Sequence, residues 1–355
     1  MTKARWARVL IVEDSPTAGK VLSEGISRDA RLAVAGVATT AKDAIAMALH
    51  LKPDVMTLDM MLPDETGLRV IHDVLEQYSV PIIVVTSLPV EGSDSLPFRA
   101  LATGASDMVC KPAGDAASLR RFFEDLNERL VSIAVARAVP THEMAPAPKP
   151  IPRRDHAPAG ATSLDCVIVG ASTGGPPALV DFLNGLGPDF PAPVVIVQHI
   201  AAPFVDGLVR WLDKETPSWV TLAEDNVPLR PRHAYIAPAG CDVAFRMDGR
   251  LSVKKASNDR KAIAPSADLL FESAAETFRG RCAGVLLTGM GRDGAVGLLK
   301  MRSRGARTFA QDERSAVVFG MPAAAGRLGA VEVFGEPKGI AARLRRLVAK
   351  SERMA

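Results

Sequence analysis

The chain is short of the features by which several function classes are read from sequence. Cysteine is scarce: Cys110, Cys166, Cys241 and Cys282 lie far apart and form no Cys-x-x-Cys pair. That excludes a disulfide framework or a paired-cysteine zinc site and leaves reduced thiols. Aromatic residues make up 5% of the 355 residues, and the formal net charge is only +3. With no dense Lys/Arg block carrying interleaved aromatics, a nucleic-acid partner is excluded. No run of about 18 uninterrupted apolar residues occurs, and no apolar h-region follows the basic residues Lys3, Arg5 and Arg8. A soluble, cytoplasmic protein without direct membrane insertion is expected. A Walker Lys-Ser pair is missing, and the most prominent glycine loop has Ser172 where a dinucleotide fingerprint needs glycine.

What the chain does contain is enough apolar material for two cores. At 355 residues, 48% hydrophobic and 23% charged, it is long enough for two domains. The break falls between Ala136 and Thr162, where prolines at 140, 146, 148, 150, 152 and 158 stand among alanines with almost no large apolar side chain. Such a segment cannot bury enough surface to offset its ordering entropy and reads as an extended linker. The expected division is a first domain over 1–131, a linker over 132–162 and a second domain over 163–350.

The first domain alternates strand and helix. Val9–Val12 reads as a buried strand; Ser15 and Pro16 supply an N-cap and a first-turn proline for a helix to about Ile26. Further strands are expected at 32–37, 55–58, 82–85 and 108–110, with a helix at 41–51. Five such units make a doubly wound parallel (βα)5 sheet, whose ligands collect beyond the carboxyl ends of the strands. Glu13, Asp14, Asp59, Thr86 and Lys111 stand there. Three carboxylates at one edge repel each other unless a hard cation sits among them, and Mg²⁺ with a phosphate fits that need. Asp59 is then the phosphoryl acceptor, Lys111 pairs with the phosphoryl oxygens, and the Thr86 hydroxyl hydrogen-bonds the attached group.

Val-Glu-Asp-Ser, Leu-Asp-Met-Met-Leu-Pro, Val-Thr-Ser and Cys-Lys-Pro make the segment from about Val9 to Leu130 resemble the response-regulator receiver family. The resemblance implies that Glu13, Asp14 and Asp59 hold Mg²⁺ with the backbone carbonyl of Met61, and that Asp59 takes phosphate from a histidine kinase. Two departures stand out. Met108 replaces the aromatic that receivers often carry three residues before the lysine, and Asp64-Glu65-Thr66-Gly67 replaces the usual Met-Asp-Gly.

In the second domain, Gly170-Ala171-Ser172-Thr173-Gly174-Gly175 sits directly between the apolar run Val167–Val169 and a helix beginning near Pro177. A strand that stops at a glycine-flanked serine and turns into a helix lifts the hydroxyl clear of the backbone, although such a serine can also simply cap the helix. Two more apolar runs end in His199 and in the glycine-rich loop carrying Asp293. His233 precedes its own run and is expected at the opposite edge. Asp293 can orient a histidine or cap the helix that begins near Ala295. An imidazole, with an ordinary pKa of about 6.5, can take the proton of a serine hydroxyl, and a buried aspartate fixes its tautomer. The Thr173 N–H is the natural first oxyanion donor. Shorter strands at 219–225, 233–237, 242–247 and 250–254, with a two-residue Asp248-Gly249 turn, make this an α/β domain with a mainly parallel sheet and a β-hairpin insertion.

Gly-Ala-Ser-Thr-Gly-Gly, Val-Gln-His and Leu-Thr-Gly-Met-Gly-Arg-Asp-Gly together resemble the chemotaxis protein-glutamate methylesterase family, CheB, over essentially the whole chain. The resemblance implies Ser172 as nucleophile, His199 as base, Asp293 as its orienter and the Met290 backbone as a further oxyanion contact. It implies hydrolysis of glutamate γ-methyl esters, and deamidation of certain glutamines, on methyl-accepting chemotaxis receptors, with no cofactor in the esterase domain. A tethered, unphosphorylated receiver is expected to pack over the catalytic face, and phosphorylation of Asp59 to weaken that packing. The alternative expectation is a phosphorylation-dependent receptor-binding protein without catalysis.

Overall fold

The computed structural model describes residues 7–87, 95–112, 114–138, 164–257 and 264–352. The chain divides near residue 140 into two compact units. Most of the expected linker, 139–162, lies outside the described residues; its first residues, 132–138, are the last turns of a helix that runs seven residues further than the expected boundary.

The first unit alternates β1 (Ala7–Val12), α1 (Pro16–Ser27), β2 (Leu32–Ala38), α2 (Ala41–Leu51), β3 (Val55–Leu58), α3 (Gly67–Gln77), β4 (Ile82–Thr86), α4 (Leu96–Thr103), β5 (Asp107–Cys110) and α5 (Ala116–Ala138). Every strand pairing is parallel, in the order β2-β1-β3-β4-β5. Because helices cover both faces, β3 and β4 are buried along their whole length, which is why they read in sequence as unbroken apolar runs. The Ser15 hydroxyl accepts from the Ala18 N–H, with Pro16 in the first turn. The strand order reverses between β1 and β3, so a crevice opens beyond their carboxyl ends, where Glu13, Asp14 and Asp59 follow. Met108 is buried in β5, so no aromatic ring is available there to rotate. The unusual Asp64 has a structural use: its carboxylate accepts from the N–H groups of Ala41 and Lys42 at the start of α2, which lowers its pKa.

The second unit contains β6 (Cys166–Ala171), α6 (Gly175–Leu186), β7 (Val194–Gln198), α7 (Val205–Glu215), β8 (Trp219–Leu222), β9 (His233–Ile236), β10 (Cys241–Phe245), β11 (Leu251–Lys255), α8 (Ala267–Phe278), β12 (Cys282–Leu286), α9 (Ala295–Ser303), β13 (Arg307–Gln311), α10 (Met321–Arg327), β14 (Val333–Gly335) and α11 (Pro337–Glu352). Seven strands form one wholly parallel sheet in the order β14-β13-β12-β6-β7-β9-β8. Thus β8 and β9 extend the main sheet instead of belonging to an insertion, and only β10 and β11 form a separate antiparallel hairpin. Its connection is a three-residue loop, not a two-residue turn: Phe245 pairs with Leu251, the Arg246 N–H bonds the Arg250 carbonyl, and the Gly249 N–H closes back on Arg246. Gly249 takes φ 83°, the left-handed residue that follows a type I turn in such loops. The apolar run that leads to Asp293 forms its strand from Cys282 to Leu286 and leaves Leu287–Gly294 as loop.

One part of this unit's core sits between the sheet and helices α8–α10, with Ile168, Val195, Val197, Phe271, Leu286, Leu298 and Met321 fully buried; Leu179 and Phe182 of α6, Leu208 of α7 and Leu344 of α11 are fully buried as well. Burial of side chains of this size stabilises the fold by about 1.5–3 kcal/mol each. Cys166 and Cys282 face one another across β6 and β12 as buried free thiols. Burial pushes the Cys282 thiol up to about 12. Among the described residues no helix is long and apolar enough to cross a membrane.

Candidate active site

Strand β6 is flanked by β12 on one side and β7 on the other, and the strand order reverses beside it. Ala171 pairs with Gln198, so Ser172 and His199 are the next residues along two adjacent strands, joined by the His199 N–H to the Ala171 carbonyl at 2.9 Å. On the other side the Ser172 N–H donates to the Thr288 carbonyl at 3.0 Å, beyond the end of β12. Ser172 and His199 are thereby brought together by register alone. His233 is the first residue of β9, which runs parallel to β7, and so lies at the opposite edge, as expected.

The turn at Ser172 is held by close approaches that only glycine permits. Gly174 has φ 75°, and a Cβ on it would lie 2.5 Å from the Cβ of Val317. A Cβ on Gly175 would lie 1.9 Å from Gln198 Oε1, and one on Gly289 would lie 2.7 Å from the Ser172 Cβ itself. The glycines around the serine are therefore packing requirements of the turn. The Thr288 hydroxyl donates to the Thr173 carbonyl at 2.9 Å, and the Gly175 N–H donates to the Ser172 carbonyl at 2.7 Å. Among the described residues the Thr173 and Met290 N–H groups donate to no protein acceptor. Met290 sits beside the serine because Gly289 is clamped by Val318, Gly320 and Met321 through three backbone hydrogen bonds of 2.8–3.1 Å.

Asp293 is bound more heavily than a helix cap would be. His199 Nε2 lies 3.0 Å from its Oδ2, and the Ala267 N–H donates to the same oxygen at 2.7 Å. Its Oδ1 accepts from Ser266 Oγ and from the N–H groups of Asp268 and Gly294, at 3.0–3.1 Å. Of the two helices near it, the one whose N-terminus Asp293 meets while bonding His199 is α8; α9 is preceded by Gly294 in a left-handed conformation with no side-chain cap. Burial works to raise the Asp293 pKa, but the bonds from His199, Asp268 and Ala267 outweigh it and hold the carboxyl below its ordinary value. An ionised carboxylate only accepts, so His199 Nε2 donates to it, and in the neutral ring Nδ1 keeps its lone pair as an acceptor. A serine hydroxyl whose proton such a nitrogen takes is a nucleophile, and the Thr173 and Met290 N–H groups are unpaired donors among the described residues.

The first unit gathers charge instead. Ligand oxygens of Glu13, Asp14 and Asp59 lie within 4.8 Å of one another. Lys111 Nζ reaches Glu13 at 2.7 Å and Asp59 at 2.5 Å. Burial raises the Glu13 pKa despite the Lys111 contact; Lys111, whose own burial acts the other way, is raised by its bonds to Asp59 and Glu13. One ammonium against three carboxylates leaves an excess of hard oxygen donors, which suits Mg²⁺. The Met61 N–H donates to Asp59 Oδ1 at 3.3 Å, putting the Met61 backbone on the same loop. Thr86, the last residue of β4, is fully buried beside Lys111, whose N–H donates to its carbonyl at 2.9 Å. A Cβ on Gly67 would lie 2.8 Å from the Asp59 carbonyl, which ties the Asp64–Gly67 loop to Asp59.

The site also holds polar braces that the sequence does not mark. Thr288, Ser266 and Gln198 act through contacts 26 to 115 residues apart in the chain, and no local pattern announces them.

Comparison with known proteins agrees with both halves. Residues 167–344 match the family model of the CheB methylesterase and residues 9–122 that of the response regulator receiver domain. A protein-glutamate methylesterase/protein-glutamine glutaminase of Anaeromyxobacter dehalogenans is 40% identical over 329 residues, covering 92% of this chain and 93% of the relative. A protein of the same name from Agrobacterium fabrum is 39% identical, covering 92% of each. The crystal structure of the Thermotoga maritima CheB methylesterase catalytic domain superposes with a TM-score of 0.50 at 33% identity, covering 52% of this chain and all of that one.

Proposed function

The chain belongs to the CheB methylesterase family, and from that membership we propose an enzyme that hydrolyses glutamate γ-methyl esters and deamidates glutamines on chemotaxis receptors, under control of receiver phosphorylation. The domains are the receiver, whose last helix runs to residue 138, and the catalytic unit from about 163. The observation that carries the reading is the His199–Asp293 bond beside a glycine-packed serine turn.

Ser172 Oγ attacks the ester carbonyl carbon as its proton passes to His199 Nδ1. The negative oxygen is held by the Thr173 and Met290 N–H groups, each such donor worth roughly 10²- to 10³-fold. Collapse breaks the bond to the methoxy group, which takes the proton from His199 and leaves as methanol. Water, deprotonated by the same nitrogen, then hydrolyses the acyl-serine and returns the free carboxylate. With a carboxamide, ammonia leaves in place of methanol.

In the receiver, Asp59 accepts a phosphoryl group from the chemotaxis histidine kinase, Lys111 pairs with its oxygens, and the Thr86 hydroxyl bonds the attached group. Glu13, Asp14, Asp59 and the Met61 carbonyl would hold Mg²⁺, which neutralises phosphoryl charge when bound. The test is methanol release from methylated receptor membranes, with and without a small-molecule phosphodonor. The intact chain is expected to release methanol faster with the donor and Ser172→Ala to release none; equal release from both chains overturns the reading.

A further inference from the structure

Gln198 is the last residue of β7 and is 3% exposed. Its Nε2 donates to two carbonyls at once, that of Ser172 at 2.8 Å and that of His199 at 3.0 Å. One amide group thus fastens the backbone of the nucleophile to the backbone of the base. The slot it occupies exists because residue 175 lacks a Cβ, since one there would lie 1.9 Å from Gln198 Oε1. That oxygen is buried and has no hydrogen-bond partner among the described residues. A long polar side chain buried with half its amide unsatisfied is a cost to folding that an apolar residue would avoid. What the site gains is a fixed relation between two catalytic backbones, on which kcat depends steeply.

We propose that Gln198 is a positioning residue for catalysis: its amide clamps the Ser172 and His199 carbonyls and sets the relative placement of nucleophile and base. This rests on the reading of Ser172 and His199 as the catalytic pair. Other bonds already restrain each residue separately, the Gly175 N–H on the Ser172 carbonyl and the His199 N–H on the Ala171 carbonyl. Among the described residues, Gln198 is the side chain that spans both. It touches neither reacting atom, so its loss acts on the chemical step and not on receptor binding.

The test uses the full chain, activated with a small-molecule phosphodonor, on methylated receptor membranes. Gln198→Met keeps the length and removes the donor; Gln198→Glu keeps the shape but sets an acceptor against two carbonyl oxygens. Both are expected to lower kcat by about 10- to 100-fold with KM within about twofold, and to slow phosphonylation of Ser172 by a fluorophosphonate equally. Gln198→Asn, which keeps the amide but is too short to span both carbonyls, should also lose kcat and serves if the others do not fold. Val195→Ala, a core truncation in the same strand, should lose stability without losing kcat per folded molecule. Wild-type kcat in folded Gln198 variants, a loss confined to KM, or an equal kcat loss in Val195→Ala overturns the proposal. Ser172→Ala keeps the two readings apart: if it still releases methanol, the catalytic assignment itself has failed, whereas a dead Ser172→Ala beside a fully active Gln198→Met refutes the clamp alone.

Discussion

The two halves of the chain place their chemistry alike and prepare it differently. In each, a parallel sheet reverses its strand order and the functional residues stand just beyond the carboxyl ends of the flanking strands. In the receiver the preparation is charge: Glu13, Asp14 and Asp59 crowd around Lys111. In the catalytic half it is shape: Gly174, Gly175 and Gly289 let side chains and backbone press onto the serine turn, and neutral hydrogen bonds hold the carbonyls of Ala171, Ser172, Thr173 and Thr288. A charge cluster can be set or released by one cation and one phosphoryl group. A packed turn has one arrangement and is either accessible or not. The contrast suits a switch in the first half and a catalyst in the second.

Four substitutions test that contrast, beginning with the most damaging. His199→Gln should lower methanol release by about 10³-fold or more, since it removes the proposed general base and with it activation of the serine. Gly289→Ala should cost about 10²-fold in kcat, because its methyl group would press on the Ser172 Cβ and on Met321 Sδ, 2.4 Å away. Phosphorylation of Asp59 by a small-molecule donor should be untouched by it, and an equal loss at both sites would break the comparison. Asp59→Asn should abolish stimulation by phosphodonor, a coupling in the range of about 5- to 150-fold. A chain beginning after residue 160 should release methanol without any response to the donor. An inactive truncated chain would count against control by the receiver.

The smallest effect is on stability. Asp293 has a folded pKa below its ordinary value of 3.8, so its ionised form stabilises the fold above that value, and the contribution fades as pH falls through the lowered pKa. Asp293→Asn should therefore unfold at lower urea than wild type at pH 6, by about 1–3 kcal/mol, and the gap should narrow toward pH 3. A gap that stays constant with pH would mean that the carboxylate's charge plays no part.

Much of this was legible because parallel strands covered on both faces are continuous apolar runs, and the residue after each run is at the functional edge. Ser172, His199, Asp59 and Lys111 were found that way. Asp293 was only half readable: its loop was evident, but its bonds go to Ser266, Ala267 and Asp268, more than 20 residues earlier, where the sequence suggested the adjacent helix α9. Strands β13 and β14 escaped notice for a similar reason. Arg307–Gln311 mixes polar and apolar residues and Val333–Gly335 is three residues long, so both are defined by their neighbours in the sheet and not by their own pattern. The hairpin loop is one residue longer than the Asp-Gly pair implies, because that pair alone does not say whether glycine ends a two-residue turn or follows a type I turn.

The most direct measurement of the central claim is the site of covalent trapping. The full chain, activated with phosphodonor and treated with a fluorophosphonate, should carry one phosphonyl adduct, mapped by mass spectrometry to the peptide containing Ser172, and should lose methanol release in step with labelling. An adduct on any other residue, or methanol release that survives complete labelling of Ser172, would contradict it.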